Sequence, residues 1–263
     1  MSISPILHSA DGFASSLPPD DGISNGFLET MRCQSGRFPL WQYHRDRLLR
    51  CSGIELRQLA AIEKALTEVA TRCRGWEPAA RVRLRYGNLA GRSYWDITAV
   101  PLEASTPWAS GVALVPCKTR LPVTRQSQGC KLLDRAVYQQ AAEELTASPP
   151  ACEGLLLSEA GALVETLRCN LLLHRAGQWW TPSLDQCGVR GVMRAWLQER
   201  LPIREVTLRV DDLSDADELV LCNSVRGVIP VTSVSGNCWT PQSGSSTDSP
   251  VLQIQRLIAQ ELW

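Results

Sequence analysis

The chain has 263 residues, with 27 basic and 27 acidic side chains and therefore no formal net charge. Lacking a positive excess or a long basic run, it offers no electrostatic case for binding nucleic acid or an anionic membrane. Apolar residues at 44% and charged residues at 21% describe an ordinary globular chain, long enough for one large core or two smaller ones.

The opening MSISPILHSADG has no basic stretch followed by an apolar one, so it is not read as a signal peptide. No apolar run approaches the length of a membrane span, and a cytoplasmic chain is expected. FLETMRC and RFPLWQY read as two strands joined in a hairpin by residues 34–37. HRDRLLRCSGI reads as a helix. A second helix over 60–73 carries Ile62, Ala65, Leu66, Val69 and Ala70 at helical spacing. RVRLRYG and SYWDITAVPL alternate as strands around a turn at 87–91, which makes the first half α+β.

The stretch 101–111, PLEASTPWASG, holds two prolines among small residues and is expected to join two domains, 1–106 and 107–263. A strand at 112–117 is followed by a polar loop. A helix is then expected to start close to Lys131, with Leu132, Leu133, Ala136, Val137, Ala141 and Leu145 as its buried stripe. GLLLSEAGALVE and NLLLHRAGQWWTP read as hairpins turning at 159–161 and 175–177. GVRGVMRAWLQERL begins rich in glycine and ends helical, and ELVLCNSVRGVIPVTSV gives two strands flanking Asn223 and Ser224. A loop over 236–250 precedes a closing helix, LQIQRLIAQELW.

Ten cysteines are scattered with no Cys-x-x-Cys pair, which argues against a zinc ribbon or a thioredoxin-type redox site. Reduced cysteines, mostly in the core, are expected. The histidines are His8, His44 and His174, and no Gly-x-Ser-x-Gly elbow accompanies them, so a Ser-His-Asp hydrolase has little support. Walker-type and dinucleotide-type glycine loops are absent from the sequence.

Lysine is scarce. Only Lys64, Lys118 and Lys131 are lysines, the remaining 24 basic residues being arginine. Lys64 sits beside Glu63 with Glu68 four residues on, a surface ion-pair pattern, and Lys118 lies in a polar stretch. Lys131 is flanked by Gly129, Cys130, Leu132 and Leu133. An amine among such neighbours loses hydration, its pKa falls, and it becomes suited to nucleophilic or imine-forming chemistry. The backbone N–H groups of 188–192, at the start of a helix, suit a phosphate, and an ordinary glycine turn would read the same way. Glu165 closes an apolar strand, either as a turn residue or as the partner of a buried cation.

Taken in order, these segments resemble the fold-type IV pyridoxal-phosphate enzymes, a group holding branched-chain and D-amino-acid aminotransferases and aminodeoxychorismate lyase. GFLETMRC is similar to the family's early strand. HRDRL is similar to its His-x-x-Arg-Leu motif, which implies that Arg47 binds the cofactor phosphate. GCKLLDR resembles the lysine motif and implies that the cofactor is attached to Lys131. ETLRCN implies that Glu165 faces the pyridine nitrogen, with Asn170 on the same strand pair. LDQCGVRGVMR and ADELVLCNSVRGVIPV imply phosphate contacts at Gly191, Val192 and Met193 and at Asn223 and Ser224.

The later segments most resemble aminodeoxychorismate lyase. Met193 stands where many of the transaminases carry Thr, and Cys222 where Thr or Ser is common. The Arg-x-His motif of D-amino-acid transaminases is not evident. The resemblance implies an α/β (α+β) fold of two domains: a smaller N-terminal α+β domain, and a larger C-terminal one with a β-barrel-like core and helices. It also implies bound pyridoxal 5'-phosphate, a homodimer, no resident metal, and aminodeoxychorismate as a small-molecule substrate cleaved to pyruvate and 4-aminobenzoate for folate biosynthesis. A class IV aminotransferase acting on D- or branched-chain amino acids, and a non-catalytic binding relative, are the alternatives. Arg32, Arg85, Arg92, Arg190 and Arg226 all suit the substrate carboxylates, and the sequence leaves that choice open.

Overall fold

Alternation of apolar and polar side chains over 80–86 and 95–99 makes a hairpin with one greasy face, which needs a helical layer to cover it. The computed structural model supplies that layer. It describes residues 4–103, 110–124, 127–146, 148, 152–234, 236–239 and 249–263. The chain divides into two compact units, Met1–Ala104 with Cys130–Asp134, and Ser105–Gly129 with Arg135–Trp263. The expected link at 101–111 falls largely on 104–109, outside the described residues.

The first unit contains β1 (Ile6–Ser9), β2 (Gly12–Phe13), β3 (Ile23–Cys33), α1 (Trp41–Ser52), α2 (Leu56–Cys73), β4 (Ala80–Leu89) and β5 (Arg92–Pro101). Its strands form one antiparallel sheet in the order β2-β1-β5-β4-β3. Val82 and Leu84 of β4, with Ile97 and Ala99 of β5, meet Leu59, Ile62, Leu66 and Val69 of α2 in a common core. Ile62, Val69, Val82 and Ile97 are fully buried, each contributing roughly 1.5–3 kcal/mol of transfer free energy. Gly53, in the left-handed conformation at φ 63°, ends α1.

Two sequence expectations fail in this unit, each for a physical reason. Residues 34–37 do turn tightly, with Ser35 and Gly36 at positive φ and Gln34 and Arg37 exchanging two 2.9 Å hydrogen bonds. The return strand ends there, however, because Pro39 has no N–H to continue a ladder, and α1 starts at Trp41. Lys131 does not lie at a helix start either. Residues 130–134 run extended beside β3. Leu28 N–H donates to Lys131 O at 2.9 Å, Leu133 N–H donates to Gly26 O at 2.7 Å, and Phe27 bridges Leu132. Leu133 packs with Ile23 and Leu28, so tertiary pairing overrides the helical periodicity. A Cβ on Gly26 would come within 2.7 Å of the Leu133 side chain, so this position requires glycine.

The cysteines are not all reduced. Cys51, at the end of α1, is bonded to Cys130, while the other eight are free thiols.

The second unit contains β6 (Val112–Leu121), α3 (Ala136–Glu143), β7 (Cys152–Ser158), β8 (Leu163–Thr166), β9 (Asn170–Arg175), β10 (Gln178–Pro182), α4 (Val192–Gln198), β11 (Ile203–Val206), β12 (Glu218–Asn223), β13 (Gly227–Val234), β14 (Asn237–Cys238) and α5 (Pro250–Glu261). Of the residues expected on one helix stripe, Ala141 is buried but Ala136 is exposed, since α3 begins only there. The strands β9-β12-β13-β6-β7-β8 pair in sequence, and β8 pairs back to β9. That closure makes a six-stranded barrel and removes its free edges. Val112, Leu114, Leu155, Leu163, Leu171, Leu173, Leu219 and Leu221 fill its core at alternate positions. Both expected hairpins, β7–β8 and β9–β10, are present. Of the loop expected at 236–250, residues 240–248 lie outside those described. Among the described residues, no helix is long and apolar enough to cross a membrane.

Candidate active site

In the first unit, chemistry concentrates on β3 and the segment 130–134 laid beside it. Lys131 Nζ donates to Thr30 Oγ1 at 3.4 Å. Lys131 is half-buried, whereas Lys64 and Lys118 are exposed. The pairing of residues 130–134 with β3 and the Cys51–Cys130 bond fix the backbone on both sides of this lysine.

Glu29 precedes Thr30 on β3, and alternation sends it to the opposite face, toward α1. Arg47 donates to Glu29 Oε1 from Nε at 2.8 Å and to Oε2 from Nη2, and His44 Nδ1 lies 2.6 Å from the same Oε2. All three side chains are buried. Burial alone would raise the Glu29 pKa, but the Arg47 charge and the hydrogen bonds from His44 and Arg47 outweigh it and hold the carboxyl at about 2. Burial lowers the His44 pKa, Glu29 partly opposes that, and the Arg47 and Lys131 charges reinforce it. His44 is therefore a neutral ring whose Nδ1–H donates to Glu29. Its Nε2 is buried with no hydrogen-bond partner among the described residues.

In the second unit, Glu165 on β8 sits directly across from Asn170 on β9. The buried Glu165 carboxylate accepts from Tyr138 Oη at 2.6 Å, from Val189 N–H at 3.2 Å and from Asn170 Nδ2 at 3.4 Å. Asn170 Nδ2 also donates to Val189 O at 2.9 Å, which ties the 188–191 loop to the barrel. A Cβ on Gly191 would lie 1.8 Å from Asn170 Oδ1, so only glycine fits at the entry to α4. Val192 and Met193 open α4 with their side chains buried, which leaves their backbone N–H groups as the polar feature of that turn. Val189 bridges Gly129, and Arg190 N–H donates to Gly129 O at 3.0 Å. Cys130 alone separates Gly129 from Lys131 in the chain.

The turn between β12 and β13 holds Asn223 and Ser224. Asn223 Oδ1 accepts from the N–H groups of Val225 and Arg226, and its Nδ2 donates to Cys169 Sγ at 3.1 Å. Its side chain thus shapes the turn, in the manner of an Asx turn.

A family profile described as amino-transferase class IV matches residues 26–234. The chain belongs to the class IV aminotransferase family. An aminodeoxychorismate lyase from Vibrio harveyi is 26% identical over 229 residues, covering 80% of this chain and 83% of that protein. The crystal structure of 4-amino-4-deoxychorismate lyase from Pseudomonas aeruginosa is 28% identical and superposes with a TM-score of 0.82, covering 98% of this chain and 99% of that one. The PLP-bound form of a hypothetical aminotransferase from Mycobacterium tuberculosis, at 18% identity and TM-score 0.80, shares the fold over 97% of this chain and 96% of that one. The architecture is that of the fold-type IV enzymes.

Of the five arginines that suit a substrate carboxylate, this class IV enzyme commits Arg85 elsewhere. Arg85 donates to Asp96 Oδ1 and Oδ2 at 2.9 and 2.5 Å, to Asp20 Oδ1 at 2.6 Å and to Pro18 O at 2.8 Å. Arg32 donates to Gln34 Oε1 at 2.6 Å, and Arg190 Nη2 pairs with Asp185 at 3.2 Å on an exposed surface. Arg92 is exposed at the β4–β5 turn, and Arg226 is half-buried beside Asn223. Sequence reading missed Glu29, Thr30 and Tyr138 as members of these clusters. Alternation along FLETMRC could have found the first two, since it puts Glu29 and Thr30 on opposite faces. Tyr138 gave no such signal.

Proposed function

We propose that this class IV enzyme is a 4-amino-4-deoxychorismate lyase that uses pyridoxal 5'-phosphate. The observation that carries the reading is the likeness to the Pseudomonas aeruginosa lyase, 28% identical over nearly the whole of both chains. The Vibrio harveyi lyase supports it over most of the chain.

The residues present fit the cofactor in their chemistry. Lys131 offers a half-buried primary amine beside a hydroxyl. Glu165 offers a buried carboxylate whose ionised form is favoured by donors from Tyr138, Val189 and Asn170, as a protonated pyridine nitrogen requires. The glycine-bearing turn at 188–193 offers backbone N–H groups. Pyridoxal phosphate, when bound, supplies a ring that accepts the electron pair left at the amine-bearing carbon after that carbon loses its proton.

Lys131 would hold the cofactor through Nζ, and once the substrate amine had taken its place the freed Nζ would remove the proton from the amine-bearing ring carbon. Thr30 keeps Nζ oriented and exchanges a proton with it. Glu165 would face the pyridine nitrogen and favour its protonated form. Arg47, the N–H groups at Gly191, Val192 and Met193, and the Asn223–Ser224 turn would take the phosphate. The ring carbon gives up one proton, the bond between the ring and the ether oxygen breaks with its electron pair leaving on oxygen, and the released enolate takes up one proton to become pyruvate. The ring left behind is aromatic, and return of the Lys131 amine to its place would free it as 4-aminobenzoate. The same reading carries a homodimer, which the mass in solution checks.

The test is the spectrum of the purified protein together with its products. The lyase reading expects a yellow protein that forms 4-aminobenzoate and pyruvate in equal amounts from aminodeoxychorismate. A yellow protein that instead exchanges the amino groups of D-alanine or branched-chain amino acids with keto acids is a transaminase. A colourless protein that makes neither product, even with added cofactor, is a non-catalytic relative.

A further inference from the structure

Tyr138 lies on the first turn of α3, seven residues beyond Lys131, and its hydroxyl donates to Glu165 over a shorter distance than Val189 N–H or Asn170 Nδ2. At 2.6 Å to a carboxylate oxygen, this is a charge-assisted contact, roughly twice as strong as a neutral one. The ring is held as firmly as the hydroxyl. The Arg135 guanidinium carbon lies 3.2 Å from the ring centroid, and Arg135 Nη2 donates to Leu167 O at 2.9 Å. Burial and the Glu165 charge push the Tyr138 pKa well above its ordinary value, so the hydroxyl stays protonated and donates at every working pH.

We propose that Tyr138 is a positioning residue for the cofactor's pyridine ring, acting through Glu165. Its hydroxyl fixes Oε1 and stabilises the ionised carboxylate, which in turn retains the proton on the pyridine nitrogen. The inference rests on the cofactor reading above. Replacement by phenylalanine removes one oxygen and keeps the ring that packs against Arg135. Val189 N–H and Asn170 then remain as the weaker donors, the ionised form of Glu165 loses its best hydrogen bond, and its pKa rises.

The experiment compares wild type, Tyr138→Phe, Glu165→Gln and the double variant, each loaded with pyridoxal phosphate. Tyr138→Phe is expected to weaken cofactor retention about tenfold. It should also displace the pH midpoint of the bound cofactor's colour change, and lower kcat more than it changes KM. In the Glu165→Gln background the same substitution should add little, because both changes act on one contact. As a check independent of the cofactor, carbon-13 titration of the apoprotein should show the Glu165 carboxyl protonating at a higher pH in Tyr138→Phe. Wild-type retention and midpoint in Tyr138→Phe, or an equal added loss in the Glu165→Gln background, overturns the proposal and leaves the cofactor reading intact. A wild-type protein that takes up no cofactor overturns both.

Discussion

Lys131 Nζ lies 3.4 Å from Thr30 Oγ1, and the two residues meet because the segment carrying the lysine is hydrogen-bonded beside β3. A helix at this point would have carried the amine on a frame that could rotate or fray. The extended segment instead sets its direction by two backbone hydrogen bonds and one covalent crosslink.

Thr30→Val keeps the branched shape that suits a strand and removes the hydroxyl. It should lower kcat about 10- to 100-fold with a smaller change in KM, while Thr30→Ser retains most activity. Steady-state kinetics of aminobenzoate formation checks this. Unchanged kcat in Thr30→Val would assign the hydroxyl no part in handling the Lys131 proton.

Gly26→Ala places a methyl 2.7 Å from Leu133 and should lift residues 130–134 off β3. The expected cost is about 1–3 kcal/mol of stability, accompanied by weaker cofactor retention. Denaturant melts and cofactor titration together measure it.

Glu29 gives the fold an acid dependence of definite sign. Its folded pKa of about 2 lies below the ordinary 4.5, so its stabilisation is complete above pH 4.5 and is lost as the pH falls toward 2. The drop corresponds to about 3 kcal/mol at neutral pH. The lowered pKa of His44 acts in the same direction, beginning as the pH falls below 6.5. Urea melts from pH 7 to pH 3 should show stability falling throughout. Glu29→Gln should be less stable at pH 7, where Arg47 loses the charge of its carboxylate partner, and should lose less on acidification.

The Cys51–Cys130 bond closes a separation of 79 residues, for which chain entropy alone suggests about 4 kcal/mol. Thiol titration of the denatured, unreduced protein should find eight free cysteines. Cys51→Ser should melt earlier and hold the cofactor less tightly. Ten titratable thiols would contradict the crosslink.

Much of this was legible in the sequence, for reasons that are local. The β4–β5 hairpin announces itself by alternation, the β7–β8, β9–β10 and β12–β13 hairpins by short apolar runs around turn residues, and α2 by its 3.6-residue period. Lys131 and Glu165 stood out by chemistry and by resemblance. What remained hidden depends on distant partners. Nothing in KLLDR shows that its backbone pairs with Gly26 and Leu28 more than a hundred residues earlier, and the apolar spacing there imitates a helix. The bond between Cys51 and Cys130 is invisible to spacing rules for the same reason. Asn223 was read as a cofactor contact from its place in a motif, and that its side chain also shapes the turn is a role only the hydrogen-bond geometry reveals.

The central claim is that Lys131 carries the chemistry, and borohydride reduction followed by peptide mass analysis tests it most directly. The account expects the reduced cofactor on Lys131 in the wild type. In Lys131→Ala it expects neither adduct nor colour nor aminobenzoate formation. An adduct on Lys64 or Lys118, or a Lys131→Ala protein that still forms 4-aminobenzoate at the wild-type rate, would contradict it.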